Sequence, residues 1–182
     1  MNLVILTEEE SMKVALEHLL IRMGIPLDSV TIIPHQGKSD LEKSVPRKLR
    51  AWKDPTARFL ILRDNDRGDC KARKSTLIEM IKMANKEEVC KVRIVCQELE
   101  AWFLADHAAL RLAGYLAEGS NPGFLKKDPD AISHPVHVMQ KLRPGYGKVT
   151  GAREIAPHLD PANVRSASFR HTVLAIKALI AA

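Results

Sequence analysis

The sequence contains few cysteines, and none of the three, Cys70, Cys90 and Cys96, belongs to a Cys-x-x-Cys pair. An odd number of isolated cysteines argues against a disulfide framework. The opening letters MNLVIL run directly into acidic residues, without the basic segment or the cleavage site of an export signal. We therefore expect reduced thiols and a cytoplasmic protein.

Long apolar runs, internal repeats and low-complexity segments are missing as well. A membrane span needs about 20 consecutive apolar residues, and no run approaches that length. The seven histidines are scattered, so no histidine–cysteine cluster suggests a zinc site. These absences argue against a membrane protein, a repeat protein and a zinc protein.

Positive charge is in excess, because 28 lysines and arginines face 22 aspartates and glutamates and leave a net charge of +6. This balance suits an anionic partner such as nucleic acid, although a solubilising surface charge explains it equally well. The length of 182 residues suits a single domain.

Short apolar segments alternate with segments of helical periodicity over about the first 105 residues. Strands are predicted at residues 3–6, 30–33, 58–63 and 92–96. This alternation predicts an α/β protein with a small, mostly parallel four-stranded sheet and helices on both faces. Ser39 is a candidate cap for the second helix, and Pro46 is expected to kink or restart it.

The composition changes after residue 113. Residues 114–151 are rich in glycine, proline and charge and are expected to form loops and short helices, whereas Ser166 is a candidate cap for a final helix. We therefore expect an α/β core over residues 1–113. A loop-rich, mainly helical extension over residues 114–182 is expected to pack on this core and form one compact domain with it.

Acidic residues follow three of the four predicted strands: Glu8 after the first, Asp64 and Asp66 after the third, Glu98 and Glu100 after the fourth. Parallel strands end at one edge of the sheet, so these carboxylates are expected to converge. Clustered carboxylates repel one another unless a cation lies between them. Oxygen ligands favour Mg²⁺ or Mn²⁺, so the pattern predicts a site for one or two of these ions.

Two other interpretations of the acids remain open. Glu8–Glu10 and Asp69 can stabilise the starts of the helices that follow them, where negative charge is favourable. A small-molecule phosphohydrolase with Asp64 as the nucleophile would also place Asp-x-Asp after a strand, usually the first one. A calcium-binding EF-hand is excluded, because the sixth and twelfth positions counted from Asp64 are Asp69 and Ser75 instead of glycine and glutamate.

Basic residues complete the candidate site. Lys148 follows Gly145 and Gly147 in GYGKVTG, a loop that can bring the main chain close to a phosphate. Lys148 is therefore the candidate catalytic residue that stabilises charge on the phosphate, and an ordinary loop lysine is the alternative. Lys38 and Arg47 belong to a basic segment that either follows a phosphate backbone or forms a solvated face. Arg165 precedes the final helix and is a candidate anion ligand at its start.

The glutamate after the first strand and the stretch RDNDRGDC resemble the TOPRIM domain of topoisomerases, primases and overcoming-lysogenization-defect nucleases. The stretches TEEESMK, GKSDLEKSVPRKLRAW, ELEAWFLAD, PGYGKVTGA and RSASF extend the likeness to a small bacterial TOPRIM-like family catalogued as domain of unknown function 4276. The resemblance implies a TOPRIM-like, Rossmann-like fold. It also implies a metal-dependent nuclease-like site, with Glu8, Asp64 and Asp66 as catalytic residues, and a role in phage defence beside an ATPase.

The sequence departs from the TOPRIM pattern at two positions. Glu9 stands where glycine is usual, and Met12 stands where the nucleases often carry a further acid. Two-metal chemistry therefore requires Glu98 or Glu100 as a substitute ligand. The alternative is a non-catalytic module that docks on a partner ATPase.

Overall fold

A computed structural model describes residues 2–181. Four strands, all parallel, form one sheet in the order β2-β1-β3-β4. Their bounds are β1 (Asn2–Thr7), β2 (Val30–Pro34), β3 (Ala57–Asp64) and β4 (Cys90–Val95). The predicted α/β class and four-stranded sheet are confirmed, and all four strand positions are correct to within two residues.

Eight α-helices follow or connect the strands in the described part of the chain. They are α1 (Glu10–Arg22), α2 (Lys38–Ala51), α3 (Cys70–Lys82), α4 (Glu100–Ala105), α5 (His107–Leu112), α6 (Pro135–Leu142), α7 (Lys148–Ile155) and α8 (Ala167–Ile180). None of the helices found between residues 2 and 181 combines the length and the apolar character needed to cross a membrane.

The sheet is covered by helices on both faces, because successive side chains of a strand point to opposite sides. Leu3 and Ile5 of β1 belong to an apolar cluster that includes α1 and α4–α8. Val4 and Leu6 of the same strand belong to a second cluster, with α2 and α3. A strand that is apolar on both faces is typical of a buried parallel sheet.

The C-terminal segment contributes directly to the first of these clusters. Phe169 and Ile176 of α8 and Ala152 of α7 are buried in it beside residues of the sheet. Trp102 of α4 meets Phe169 edge to face at 5.3 Å between ring centroids, and its indole N–H donates to Ser168 at 3.0 Å. The extension is therefore held by core packing as well as by polar contacts.

Two of the predicted helix caps are confirmed. The Asp69 carboxylate accepts from the main-chain N–H of Lys71 at 2.8 Å and starts α3. The Ser166 hydroxyl accepts from the N–H of Phe169 at 3.0 Å and starts α8. Both depend on hydrogen bonds within three residues, which is why a local sequence pattern identifies them.

The predicted start of the second helix at Ser39 and the alternative of a restart at Pro46 were wrong. Helix α2 begins at Lys38, after Gly37 in a left-handed conformation with φ of 92°, so Ser39 lies inside the first turn. Pro46 lies within one continuous helix. Burial of Val45 and Leu49 on the sheet keeps α2 in place on both sides of the proline.

We expect Leu99→Ala to lower the free energy of unfolding by about 2–5 kcal/mol, because Leu99 is fully buried and its removal opens a cavity. Leu174→Ala is the matched control, since 54% of Leu174 is exposed on α8. That control should cost less than about 0.5 kcal/mol. Urea unfolding measures both values, and equal costs would contradict the assignment of Leu99 to the core.

Candidate active site at the carboxyl edge of the sheet

Glu8 and Asp64 meet where two neighbouring strands end. The pairing of β1 with β3 aligns Thr7 with Leu62, so the residues that follow lie side by side. The Glu8 carboxylate accepts from the main-chain N–H of Asp64 at 3.3 Å. Both side chains are buried, with residue exposures of 9% and 3%.

Glu100 reaches the same site from the first turn of α4. It is fully buried, and its Oε1 accepts from the Tyr146 hydroxyl at 3.0 Å. The Tyr146 ring packs so closely on Gly151 that a Cβ at that position would lie 2.2 Å from the ring. A glycine in α7 is thus required for the tyrosine to reach Glu100.

Lys148 supplies a positive charge among these acids. Its Nζ lies 3.0 Å and 3.3 Å from the two carboxylate oxygens of Glu9, which also accepts from the Ser11 hydroxyl at 2.7 Å. Lys148 was expected in a glycine-rich loop. It is instead the first residue of α7, directly after Gly147.

Burial and like charge hold these carboxyls closer to their protonated form. Burial, followed by Glu9 and Glu8, raises the pKa of Asp64 well above its usual 3.8. Burial, followed by Asp66, raises the pKa of Glu8, and burial raises that of Glu100 from 4.5 to about 7. Burial lowers the pKa of Lys148, but Glu100 and Glu9 outweigh it, so the net pKa is raised.

The carboxylate oxygens at this edge are of the type that binds hard divalent cations. Asp64 Oδ1 and Glu100 Oε2 are both buried and have no hydrogen-bond partner among the described residues. Carboxylate oxygens without donors are suitable ligands for Mg²⁺ or Mn²⁺. Within residues 2–181, however, no three histidine, cysteine, aspartate or glutamate side chains are already arranged to hold a metal ion.

Asp66 lies at the exposed rim of the site, where Lys38 Nζ is 3.9 Å from its carboxylate. Lys38 is the first residue of α2. A hydrogen bond from the N–H of Gly37 to the carbonyl of Glu8 holds this end of the helix at the edge of the sheet. Arg47 is exposed nine residues further along α2, about 14 Å along the axis, and donates to the carbonyl of Lys43. The structure thus brings Lys38 to the acids and leaves Arg47 on the outer surface of the helix.

Glu98 lies beside Asp66 at the rim of the site. Its carboxylate lies 3.4 Å from the N–H of Val136, and it lines a small cavity of about 50 Å³ together with Asp66 and His134. Three residues around this cavity, Asp66, Arg67 and Gln97, have φ between 48° and 63°. A left-handed conformation is costly for residues other than glycine and clusters at functional sites.

Arg165 does not lie at this edge. Its guanidinium donates to the carbonyls of Ala105 at 3.2 Å, Leu125 at 2.7 Å and Lys127 at 3.2 Å, and it also contacts His107. Arg165 therefore connects two parts of the extension to each other and to α4 through main-chain acceptors, and it reaches α5 through the His107 ring.

Three residues of the site were not identified from the sequence: Arg63, Tyr146 and Glu9 as a partner of Lys148. Arg63 is 3% exposed, lies 3.8 Å from Glu8 and donates to Glu42. An arginine directly after the apolar run Phe59–Leu62, still within the strand, is the signal that could have found Arg63. For Tyr146 and Glu9, the sequence carries no comparable signal.

An all-parallel four-stranded sheet with acids collected at its carboxyl edge defines a TOPRIM-like α/β protein. The chain belongs to the family described as "Domain of unknown function (DUF4276)", whose model matches residues 7–177.

Two solved structures resemble the whole chain. The C-terminal region of the Burkholderia pseudomallei OLD protein has a TM-score of 0.58 and 16% identity, with 98% of each chain covered. The C-terminal region of the Xanthomonas campestris pv. campestris OLD protein has a TM-score of 0.58 and 20% identity, covering 99% of this chain and 94% of that one. At these identities the likeness establishes the fold alone. No protein with a curated description matches the chain.

Glu100→Gln should change how stability depends on pH. The folded protein keeps the Glu100 proton up to about pH 7, whereas the unfolded chain loses it near its usual pKa of 4.5. The folded state therefore binds more protons across that interval, so wild-type stability should fall as pH rises through it. The glutamine variant should lose about 3 kcal/mol less over this range.

Urea unfolding at about pH 4.5 and about pH 7.5, without divalent metal, measures this difference. Glu10→Gln is the control, because Glu10 is also the first residue of a helix, α1, but its side chain is 49% exposed. If wild type and Glu100→Gln lose equal stability over the interval, the assignment of the raised pKa to Glu100 is wrong.

Proposed function

We propose that this protein is a Mg²⁺- or Mn²⁺-dependent phosphodiesterase that cleaves nucleic acid. The observation that carries the proposal is the pair of buried carboxylate oxygens without partners, on Asp64 and Glu100, beside the Lys148 ammonium. Unpaired buried carboxylates are costly to stability, and such groups persist where they serve a bound ion or a reaction.

Glu8, Asp64 and Asp66 are the residues that would hold a first ion, and Glu100 and Glu98 those that would hold a second. A divalent ion supplies an activated water and offsets the negative charge of a phosphodiester. Arg63 orients Glu8 from the side of the sheet, where the two lie 3.8 Å apart. Tyr146 holds Glu100 through a hydrogen bond from its hydroxyl.

Lys148 would stabilise the charge that develops on the phosphate during cleavage. Its Nζ is paired with Glu9 and also lies close enough to Asp64 and Glu100 to raise its pKa. Lys148 is therefore always charged near neutral pH. If a phosphate oxygen replaced Glu9 as its partner, the Lys148 ammonium would remain paired as it moved from Glu9 to the substrate.

Nucleic acid as the substrate is supported by the net charge of +6 and by Lys38 at the rim of the acidic edge. The likeness to the overcoming-lysogenization-defect nucleases extends the proposal to phage defence and to an ATPase as partner. A small-molecule phosphohydrolase with Asp64 as nucleophile is the rival among enzymes, and a trapped aspartyl-fluoride complex would favour it.

A non-catalytic docking module is the second candidate, and two observations favour it. Met12, which stands where the nucleases often carry an acid, is fully buried in the apolar core. The Lys148–Glu9 ion pair also neutralises part of the acidic edge without any metal. A non-catalytic module of this kind would keep the fold but would not turn over a substrate.

Incubation with supercoiled plasmid and with RNA, in Mn²⁺, Mg²⁺ or chelator, tests the proposal. We expect wild type to cleave only with metal and Asp66→Asn to lose both activity and tight Mn²⁺ binding. Glu98→Gln and Glu100→Gln should each leave one ion bound and lower turnover, because only the second ion is lost. A hundred-fold excess of metal over its Kd should stabilise wild type by about 2.7 kcal/mol.

Calorimetric titration counts the ions, and Glu10→Gln serves as the control variant. The absence of any binding at millimolar metal would exclude the metal site. Should Glu98→Gln and Glu100→Gln both keep full turnover and two ions, the two-metal arrangement is wrong for this chain.

Nucleic-acid binding should weaken with salt if Lys38 contacts a phosphate. Each such contact with duplex DNA contributes about −0.9 to the slope of log K against log salt concentration. Lys38→Met should therefore make the slope shallower by about 0.9, whereas Lys82→Met, at an exposed position of α3, should not change it. Fluorescence anisotropy over a salt series measures the slopes, and a flat wild-type response would favour the docking or phosphohydrolase candidates.

A further inference from the structure

Strand β4 is an edge strand whose second side is open. The Val95 carbonyl accepts from the N–H of Asn65, so the N–H and C=O groups of Val95 face β3. Hydrogen-bonding direction alternates along a parallel strand, so Lys91 and Arg93 also face β3. Cys90, Val92 and Ile94 consequently direct their N–H and C=O groups away from the sheet.

A groove runs along this open side, between α3 and α8. It consists of two adjoining cavities of about 540 Å³ and 280 Å³ that share Lys74, Val92 and Arg93. Apolar side chains from β4 and α3, including Val92, Ile78 and Ile81, form part of its lining. The groove lies along the length of β4, apart from the acidic edge.

The charges in the groove are almost all positive. Lys71 and Lys74 of α3 line it on one side, and Lys91 and Arg93 of β4 line it on the other. Glu87 is the one carboxylate among the lining residues of the two cavities. A partner that fits this groove is therefore acidic.

We propose that the groove binds an acidic, extended segment of a partner protein, which adds to the sheet as a strand beside β4. An open strand edge offers N–H donors and C=O acceptors in alternation, and a peptide main chain matches both. The phosphodiester backbone of a nucleic acid offers only acceptors, so it leaves the carbonyls of the edge without partners. The free edge thus favours a peptide over a nucleic acid.

Arg93 shows how the edge is protected in the absence of a partner. Its Nη1 donates to the carbonyl of Val92 at 2.8 Å, and its Nε donates to the carbonyl of His171 at 3.1 Å. An incoming strand would replace the first of these bonds with its own N–H. The guanidinium is then free to pair with an acidic side chain of that strand.

A second copy of this chain is a poor occupant for the same groove. Pairing of β4 with its own copy would bring Lys91 and Arg93 of one strand next to those of the other. Like charges on neighbouring strands are destabilising. The same lysine and arginine protect the edge against self-association.

The proposal is tested by selecting peptides that bind the full chain from a phage-displayed library of random dodecapeptides. A chelator is present throughout, so the outcome does not depend on the proposed metal-dependent activity. Counter-selection uses Ile94→Pro, which removes one N–H of the open side without removing a bond to β3. We expect enriched peptides that are acidic and that bind wild type and Ile94→Val alike, but Ile94→Pro at least about 10-fold more weakly.

Charge is tested separately with the strongest selected peptide, by fluorescence anisotropy. Lys74→Glu should weaken binding at least about 10-fold, whereas Lys82→Glu, on the same helix and outside the groove, should leave it unchanged. The peptide methylated on alternate main-chain nitrogens should lose binding to wild type. This last measurement needs no protein variant and stands even if Ile94→Pro does not fold.

Three results would overturn the proposal. The first is a selection that enriches no acidic peptide over the counter-selection. The second is equal binding of the methylated and unmethylated peptides, which would mean that charge alone attracts them. The third is a thymidine oligonucleotide that displaces the peptide and is itself weakened by both Lys74→Glu and Ile94→Pro, which would make the groove a nucleic-acid site.

Discussion

The hydrogen bond from the main-chain N–H of Asp64 to the Glu8 carboxylate holds the rest of the site in place. It exists because β1 and β3 are parallel neighbours and Thr7 pairs with Leu62, which puts Glu8 beside the last two residues of β3. The sheet thereby forces two carboxyls into one buried volume, and α4 adds Glu100. Burial, followed by repulsion from neighbouring carboxylates such as Glu9, raises the pKa of all three, and a cation at this edge would relieve that repulsion.

The extension completes the site as well as covering the sheet. Helix α7 carries Lys148, and the segment before it carries Tyr146, so both the positive charge and the hydroxyl that orients Glu100 come from outside the α/β core. Gly151 keeps the space that the tyrosine ring occupies. Packing of α7 and α8 in the same apolar cluster as the sheet holds these contacts in place.

Charge is distributed unevenly in this basic protein. The acids collect where three strands end, and four cations line the open side of β4. These two regions have different physical requirements. Carboxylates at the carboxyl edge are stabilised by a nearby cation such as Lys148, whereas cations beside an open strand limit self-association.

The sequence by itself determined the elements that depend on local interactions. Short apolar runs between segments of helical periodicity identified the four strands. The caps at Asp69 and Ser166 followed from hydrogen bonds within three residues. It also placed Glu8 and Asp64 at a common edge, because the ends of parallel strands coincide. Only the tertiary structure decided which of Glu98 and Glu100 is buried there, because the groups that hydrogen-bond them, the N–H of Val136 and the hydroxyl of Tyr146, both come from the extension. Only the tertiary structure brought Lys148 to Glu9, 139 residues away along the chain, because that contact depends on how the extension packs.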